Sequence, residues 1–293
     1  MERLSSYPSE TGESLPFVLS MAAVDATAGA GLLSDIKTLE CQGVYGLGIL
    51  TGNTIQTDNC FREVHWVDEA FVFRSLESLQ SRFEVRAVKI GVVPSRAYLL
   101  ALLNKVKIYW PGAKIVWDPV LRASAGGRFL ALEPTDLDGS RKDSWCQVLK
   151  RCTVVTPNAI EAAFLCRLLG FGKLIKEPIC FSGIDPGLRQ LSNYTSLILK
   201  GGHLADQALV DRLYYKDCAL NEMQMFVSHH FSGRKNRVFE KHGSGCIHSS
   251  VVAASLAKGD SLQVAMNKAK VYMEQFLASS KGLLGTHNTL RGS

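Results

Sequence analysis

The sequence predicts an α/β fold in which a doubly wound, mostly parallel sheet carries helices on both faces. Short apolar runs alternate along the chain with segments of helical periodicity, the order that places parallel strands beside crossover helices. These runs are continuously apolar, as expected for strands that are covered on both faces. With 293 residues, of which 46% are hydrophobic and 20% charged, the chain is long enough to bury a full core.

The first predicted unit is a strand, a turn of small residues and a helix. Phe17 to Met21 is apolar, and the turn from Asp25 to Gly31 leads into a helical pattern from Leu32 to Leu39. This order is typical of a phosphate or nucleotide edge in an α/β sheet. Further strands are predicted at 45–53, 87–91, 114–118, 153–156 and 196–200, and further helices at 70–82, 98–108, 159–169 and 249–257. Residues 122–145 and 170–193 are rich in Gly, Pro, Asp and Ser and are predicted to be surface loops.

Composition also limits the possible domain organisation, cellular location and binding partners of the protein. We expect residues 1–15 to form a disordered extension, residues 16–280 a single domain and residues 281–293 an irregular tail. The eight cysteines include no Cys-x-x-Cys pair and no zinc spacing, which favours free thiols in a reducing cytoplasm. No signal-peptide core or membrane-length apolar run is present, which predicts no membrane role. The net charge is +6, but the basic residues are scattered along the chain and form no continuous stripe, which argues against nucleic-acid binding.

The turn from His242 to Cys246 is the strongest chemical signal in the chain. Gly243 and Gly245 flank Ser244, and a helical pattern follows. Unpaired N–H groups and the helix dipole make such a turn a binding site for anions, most often phosphate. At this position the pKa of the Cys246 thiol should fall below its free value of about 8.5. The alternative is that the glycines only make the start of the helix flexible and that Cys246 is a small buried residue without a chemical role.

Polar side chains collect where the predicted strands end, at the edge where doubly wound folds bind their ligands. They are Asp25, Asn53 to Gln56, Lys89, Asp118, Thr156 to Glu161, and Lys200 to His203. Carboxylates can hold a metal ion, and lysines can neutralise phosphates. Together with the anion-binding turn, this set predicts a site for a magnesium nucleotide. From the residues alone, Asn158 could instead simply cap a helix, and Lys89 could be a strand-end lysine that reaches solvent.

An ordered series of motifs resembles the hydroxymethylpyrimidine (phosphomethylpyrimidine) kinases of thiamine biosynthesis. They belong to the ribokinase-like superfamily, and the vitamin B6 kinases are close relatives. The matching segments are 25–38, 43–46, Gln56, 89–91, 118–120, 156–162, 199–203 and 242–246. The resemblance spans about residues 17 to 278 and implies a ribokinase-like three-layer sandwich. It also implies a cytoplasmic homodimer that uses ATP and Mg²⁺.

The resemblance implies a role for each matching residue. The substrate contacts would be Ala23, Asp25, Asp35 and Gln56. The nucleotide contacts would be Asp118, Asn158, Glu161, Lys200, Gly202 and His242, with Asp118 and Glu161 near the metal. The catalytic group would be Gly243, Ser244, Gly245 and Cys246. The three turn residues would form the anion hole, and Cys246 would accept the proton of the substrate hydroxyl or form a transient adduct with an aldehyde.

Departures from the family pattern leave the substrate open. Ala23-Val24 replaces a usual Gly-Thr pair, and 26–28 reads Ala-Thr-Ala instead of Pro-Ser-Gly. Thr57-Asp58 and Glu240-Lys241 each stand where Asn-Thr is usual. The resemblance favours phosphorylation of 4-amino-5-hydroxymethyl-2-methylpyrimidine and then of its monophosphate. The alternatives are a pyridoxal or pyridoxine kinase and a ligand-binding relative that has lost catalysis.

Overall fold

The computed structural model describes residues 3–8, 14–121, 129, 142–172, 175–201, 210–216, 223–227 and 239–287, with the backbone alone for 223–227. The strands are β1 (Tyr7–Pro8), β2 (Ser14–Leu15), β3 (Phe17–Val24), β4 (Tyr45–Gln56), β5 (Phe61–Trp66), β6 (Val85–Ile90), β7 (Lys114–Trp117), β8 (Val154–Val155), β9 (Ser196–Leu199), β10 (Val210–Tyr214) and β11 (Met223–Val227). The helices are α1 (Gly31–Cys41), α2 (Glu69–Gln80), α3 (Arg96–Tyr109), α4 (Lys142–Arg151), α5 (Ala159–Leu168), α6 (Phe181–Leu191), α7 (Ser244–Ala257) and α8 (Leu262–Ala278).

Nine of the described strands form one sheet in the order β11-β10-β9-β8-β7-β6-β3-β4-β5. The six strands from β9 to β4 run parallel to one another. The outer strands β5, β10 and β11 pair antiparallel. From β3 the chain passes to β4 on one side and later to β6 on the other, so the strand order reverses between β3 and β6. In doubly wound folds, the loops beyond the carboxyl ends of two such strands diverge and form the crevice in which ligands bind.

Two hydrophobic cores lie on opposite faces of the sheet. In β3, Phe17, Leu19 and Met21 pack into the core that holds α2 to α6. Val18 points the other way, into the core formed with α1, α7 and α8. Because adjacent positions of a strand point to opposite faces, continuously apolar strands fill both cores. The predicted doubly wound, three-layer α/β fold is therefore confirmed.

Several boundaries differ from the sequence-based expectations. The segment 170–193, predicted to be a loop, contains α6, whose Ile184, Leu188 and Leu191 are fully buried. Their i, i+4, i+7 spacing was obscured by the Gly, Pro, Asp and Ser around them. The strand β4 continues to Gln56, and α7 begins at Ser244, so the residues of the anion turn form the first turn of the helix. Residues 122–128 and 130–141 of the other expected loop lie outside the described residues.

Part of the N-terminal segment that we expected to be disordered is attached to the domain. Leu4 accepts a backbone hydrogen bond from Glu84 and donates one to Arg82, both 2.8 Å long. Tyr7 packs its ring against Tyr45, with centroids 4.6 Å apart. These contacts lie at the amino ends of β4 and β6, away from the crevice. Among the described residues, none of the helices combines the length and apolar character that a membrane crossing requires.

Candidate active site

The anion turn is locked against the loop that follows β3. Gly243 precedes α7 with φ +73°, a left-handed conformation that favours glycine. A Cβ atom at Gly243 would lie only 2.1 Å from the carbonyl oxygen of Gly29. Gly31 at the start of α1 also has a positive φ, +61°, and its Cβ would lie 2.2 Å from the carbonyl oxygen of Ala23. Gly243 is therefore required for the two loops to meet, and Gly31 is required for the close turn between β3 and α1.

Asp25 and His242 join the same two loops through their side chains. His242 Nε2 lies 2.6 Å from Asp25 Oδ2, and both side chains are almost completely buried. Asp25 also accepts hydrogen bonds from the backbone N–H groups of Thr27 and Ala30. Burial by itself would raise the pKa of Asp25, but the bonds from His242 and Thr27 hold it below its ordinary value. Because its carboxylate is already fully engaged, Asp25 positions the loop and His242 positions the turn.

Three charged side chains meet beyond β7, β8 and β9. Lys200 Nζ lies 2.7 Å from Asp118 Oδ1 and 3.8 Å from Glu161 Oε2. A Cβ atom at Gly245 would lie 3.1 Å from Lys200 Nζ, so the anion turn directly overlies the ammonium group. Asp118 also receives hydrogen bonds from the hydroxyls of Thr156 and Ser249. The sheet thus brings together side chains that are 82 residues apart in the sequence.

The burial of this cluster shifts its proton affinities in opposite directions. Burial would raise the pKa of Asp118, but Lys200 and Lys89 lower it below the ordinary value. Burial raises the pKa of Glu161 to about 7, against the opposing effect of Lys200. Burial would lower the pKa of Lys200, yet Asp118 and Glu161 raise it overall. At neutral pH the cluster therefore holds an ammonium ion, a carboxylate and a second carboxyl group close to its midpoint of titration.

Asn158 and Glu161 form a capping box at the start of α5. Asn158 Oδ1 accepts from the Glu161 N–H at 2.9 Å, and Glu161 Oε2 accepts from the Asn158 N–H at 2.8 Å. These reciprocal bonds satisfy the first backbone donors of the helix. The helix-cap alternative for Asn158 is therefore confirmed, and the cap also fixes the Glu161 carboxyl group beside Lys200. Of the predicted nucleotide contacts, Gly202 lies outside the described residues, as does the neighbouring His203.

Asp35 forms a fully buried ion pair beneath the anion turn. Lys89 Nζ lies 2.7 Å from Asp35 Oδ2, and neither side chain is exposed. The hydroxyls of Ser20 and Ser250 donate to the same carboxylate at 2.6 and 2.9 Å. Burial raises the pKa of Asp35, whereas Asp35 and its neighbours raise that of Lys89 in spite of burial. Lys89 lies near the end of β6 as expected, but its ammonium group is buried against Asp35 instead of reaching solvent.

Cys246 lies in the first turn of α7 between this ion pair and Asp118. Its side chain is buried, and its charged neighbours are Lys89, Asp35 and Asp118. Burial raises the pKa of the Cys246 thiol to about 11, although Lys89 opposes the shift. Our expectation of a lowered pKa was therefore wrong for the protein without ligands. Loss of water around the sulfur outweighs the favourable field of the helix start.

The acceptor end of the crevice is the part that would hold the molecule receiving the phosphoryl group. It combines an apolar wall with a buried oxygen that lacks a hydrogen-bond partner. Ala23, Val92 and Phe129 form a buried cluster against three residues of β5 and one residue after β7; these are Phe61, Val64, Trp66 and Val120. Gln56 ends β4, and its side-chain Oε1 is buried without a hydrogen-bond partner among the described residues. A buried acceptor that lacks a partner favours a ligand that carries a donor group.

Some of these groups were not identified from the sequence. Phe61, Val64 and Trp66 give no motif, although three large apolar residues within an otherwise polar strand are a signal that could have identified them. Ser20 and Ser250 become recognisable only when the fold brings them to Asp35. The predicted residues Gly243 to Cys246, Asp118, Glu161 and Lys200 do converge, and Gln56 and Ala23 lie at the acceptor end.

Comparison with known proteins identifies the family. The sequence profile of the phosphomethylpyrimidine kinase family matches residues 25–290. This chain belongs to that family. A hydroxymethylpyrimidine/phosphomethylpyrimidine kinase of Rhizobium meliloti is 28% identical over 90% of this chain and 91% of the relative. The kinase of the same name from Aquifex aeolicus is also 28% identical, over 90% of this chain and 95% of the relative.

Solved structures confirm the fold of this phosphomethylpyrimidine kinase relative. The ADP complex of Bacillus subtilis pyridoxal kinase has a TM-score of 0.74, with 24% identity over 95% of this chain and 99% of that chain. The phosphomethylpyrimidine kinase of Clostridium difficile has a TM-score of 0.68, with 24% identity over 88% of this chain and 98% of that chain. The predicted family, the ribokinase-like fold and the assignment as a kinase are therefore confirmed.

Proposed function

We propose that this protein transfers the γ-phosphoryl group of ATP to the hydroxymethyl group of 4-amino-5-hydroxymethyl-2-methylpyrimidine. The resulting monophosphate would be its second acceptor, which gives the pyrophosphate. The observation that carries the proposal is the convergence of the Gly243–Gly245 turn, Lys200 and the Asp118 and Glu161 carboxyl groups at one point. Family membership suggests which class of molecule receives the phosphoryl group, because relatives bear the names of pyrimidine kinases.

The chain's own groups act mainly by positioning and by neutralising charge. The backbone N–H groups after Gly243 would bind oxygens of the transferred phosphoryl group, with help from the dipole of α7. Lys200 would turn from Asp118 toward the phosphates. The buried Lys89 is itself neutralised by Asp35, so this pair supports the floor of the site without adding net charge. In a loose phosphoryl transfer these effects outweigh the strength of the base, so a mainly protonated Cys246 is compatible with catalysis.

The residues also fit a magnesium ion. Asp118 and Glu161 supply hard oxygen donors, and Lys200 Nζ occupies the position of a cation between them. No group of three or more His, Cys, Asp or Glu side chains could hold a metal among the described residues. A magnesium ion would therefore take its other ligands from phosphate and water, as Mg²⁺ does beside nucleotides. When bound, it would neutralise charge on the phosphates.

The acceptor end suits an aminopyrimidine. The unpaired Gln56 Oε1 can accept from an exocyclic amino group, and the wall of Ala23 and Val92 can contact a flat ring. Pyridoxal carries a hydroxymethyl group as well, and the B. subtilis and Staphylococcus aureus neighbours are pyridoxal kinases. Pyridoxal therefore stays the second candidate acceptor. It has no amino substituent to pair with Gln56.

The test is ADP release with magnesium ATP and each of four acceptors: hydroxymethylpyrimidine, its monophosphate, pyridoxal and pyridoxine. We expect turnover with the two pyrimidines and loss of that turnover in Lys200→Met. Lys268→Met is the matched control, because Lys268 is a partly exposed lysine on α8 that pairs with Asp260. Turnover confined to pyridoxal would assign the protein to the B6 branch. Binding of ADP without any turnover would support the ligand-binding alternative.

Magnesium dependence, assembly and location are parts of the same proposal. Withdrawal of Mg²⁺ by a chelator should abolish ADP release, and added Mg²⁺ should restore it.

We propose a homodimer, which light scattering of the purified protein would test. We also propose a cytoplasmic location, supported by seven described cysteines that are all free. Fractionation of cells that express the tagged full chain would test it.

A further inference from the structure

His248 is a buried polar side chain that lacks a hydrogen-bond partner. It lies in α7, only 4% of its surface is exposed, and neither Nδ1 nor Nε2 has a partner among the described residues. The next two residues of the helix are well paired, because Ser249 donates to Asp118 and Ser250 donates to Asp35. Buried polar atoms almost always find partners. Two unpaired nitrogens on one ring therefore indicate a missing partner.

The charged groups that face His248 already bind one another. They are Asp211, Lys200, Asp118 and Lys270. Asp211 accepts from the backbone N–H of Gly201 at 2.6 Å and lies 3.1 Å from Lys270 Nζ. Lys200 is bound to Asp118. These two ion pairs act on the His248 ring through their charges, and the ring forms a hydrogen bond to neither. Burial lowers the pKa of His248 to about 4, which keeps it neutral.

Three consecutive residues of α7 face successive parts of the site. Ser250 binds Asp35, on the acceptor side near β3. Ser249 binds Asp118, at the end of β7. His248 is influenced by the charges of Lys200 and Asp211, which lie just after β9 and in β10, farther along the sheet in the same direction. This order places His248 on the far side of the phosphate cluster from the acceptor pocket, in the half that would hold the nucleotide.

The position of His248 along the helix also brings it close to the anion turn. Side chains of an α-helix lean toward its N-terminus and cover the residues three and four positions earlier. For His248 those residues are Gly245 and Ser244, at the start of α7. Gly245 has no side chain, so nothing from the helix itself separates the ring from the region above Lys200. A ligand seated on the turn would lie within reach of the ring.

We propose that His248 is a nucleotide-binding residue whose ring N–H donates to an oxygen of the bound adenine nucleotide. The inference rests on the proposed function only in taking the ligand of this half-site to be ATP or ADP. A neutral imidazole offers one donor and one acceptor, so a nucleotide oxygen can pair the donor. The protein without nucleotide then carries an unpaired ring, which is a cost to stability that functional sites often retain.

The test compares His248→Leu with the wild type in two measurements, binding of ADP with Mg²⁺ by calorimetry and thermal unfolding without nucleotide. Leucine removes both unpaired nitrogens and keeps an apolar side chain of moderate size. We expect a higher unfolding temperature without nucleotide, because buried unpaired polar atoms are lost. We expect ADP binding to weaken about tenfold, the effect of one lost hydrogen bond. His248→Gln, which keeps a donor, should recover part of the affinity.

Ile247→Val is the matched control, because Ile247 is buried in the apolar core one position earlier. It should unfold at a slightly lower temperature and bind ADP like the wild type. Unchanged ADP affinity in His248→Leu would overturn the proposal and leave His248 as a residue of the core. If that variant does not fold, His248→Met provides the same comparison. ADP binding requires no acceptor, so this result is independent of whether any pyrimidine is phosphorylated.

Discussion

Cys246 shows how a buried environment can reverse the expected behaviour of one residue. A helix start lowers the pKa of a thiol when water or a positive group can stabilise the thiolate. Here the thiol is enclosed, and burial raises its pKa to about 11 although Lys89 opposes the shift. The carboxylates of Asp35 and Asp118 act in the same direction as burial. In the protein without ligands, Cys246 is therefore a neutral thiol.

Cys246→Ala should lower kcat roughly a hundredfold, the loss expected when a group that accepts the hydroxyl proton in the ligand-bound enzyme is removed. The unfolding temperature should change little, because the substitution removes a single sulfur atom. The measurement is kcat at saturating ATP and acceptor, together with a thermal melt. Cys60→Ala is the control, because Cys60 is exposed on the loop before β5. Near-full activity of Cys246→Ala would mean that positioning and charge neutralisation suffice without the thiol.

His248 gives a pH dependence whose sign follows from its lowered pKa. Burial lowers the value from 6.5 to about 4, so between these limits the unfolded chain binds a proton that the folded protein does not. The stability contributed by the neutral ring is therefore complete above pH 6.5 and is lost as the pH falls toward 4. Between pH 7 and 4.5 the loss should be roughly 2 kcal/mol.

Urea unfolding of the wild type and His248→Leu at pH 7 and 4.5 measures this contribution. The wild type should lose roughly 2 kcal/mol more than the variant over this interval. The lowered pKa of His287 acts in the same pH range in both proteins, so it cancels in the comparison. An equal loss in both proteins would show that His248 titrates normally.

At the scale of elements, the site depends on two loops that hold each other in place. The loop after β3 and the turn before α7 meet at Gly29 and Gly243, where no Cβ atom fits. The buried bond between Asp25 and His242 joins the same loops across 217 residues of sequence. The conformation of the turn at the start of α7 therefore depends on a loop that belongs to a distant strand.

Gly243→Ala should both destabilise the protein and abolish ADP binding. A left-handed alanine is strained, and its methyl group would displace the loop at Gly29, so we expect a loss of at least about 2 kcal/mol. Gly259→Ala is the matched control, because Gly259 has φ +89° and open space around its Cβ position. It should lose about 1 kcal/mol from strain alone and bind ADP normally. Urea unfolding and calorimetry make the comparison. Equal effects of the two substitutions would mean that the loop contact is unimportant.

At the scale of the whole molecule, the candidate site and the contacts of the N-terminal segment lie at opposite ends of the sheet. The site uses the carboxyl ends of the parallel strands, where loops diverge beside the switch between β3 and β6. The N-terminal segment binds at their amino ends, through Leu4 beside Phe83 and Tyr7 against Tyr45. Changes at one end should therefore leave the geometry of the other intact.

Deletion of residues 1–8 should lower stability by about 1 to 2 kcal/mol, mainly through two backbone hydrogen bonds of Leu4. The bridge between Arg3 and Glu84 is partly exposed and should contribute little. The KM values for ATP and acceptor should stay within twofold of the wild type. Urea unfolding and steady-state kinetics test the two statements. A large rise in either KM would mean that the segment acts on the site.

The sequence by itself determined the fold class and the local parts of the site. Strands buried on both faces are continuously apolar, so their alternation with helices can be read without tertiary information. The anion turn is equally local, because its glycines and the helix after it are adjacent in the chain. For the same reason Asn158 and Glu161 could be recognised as residues at the start of a helix.

Only the tertiary structure decided what those residues contact. The engagement of Asp25 with His242, the ion pair of Asp35 with Lys89 and the unpaired ring of His248 depend on side chains far apart in sequence. The pKa of Cys246 also depends on how deeply the assembled sheet and helices bury it. Helix and strand patterns arise from neighbours along the chain, whereas hydrogen-bond partners and solvent exclusion arise from packing between distant segments. This is why the sequence could indicate residues that converge in the fold but could not predict their pairing and protonation.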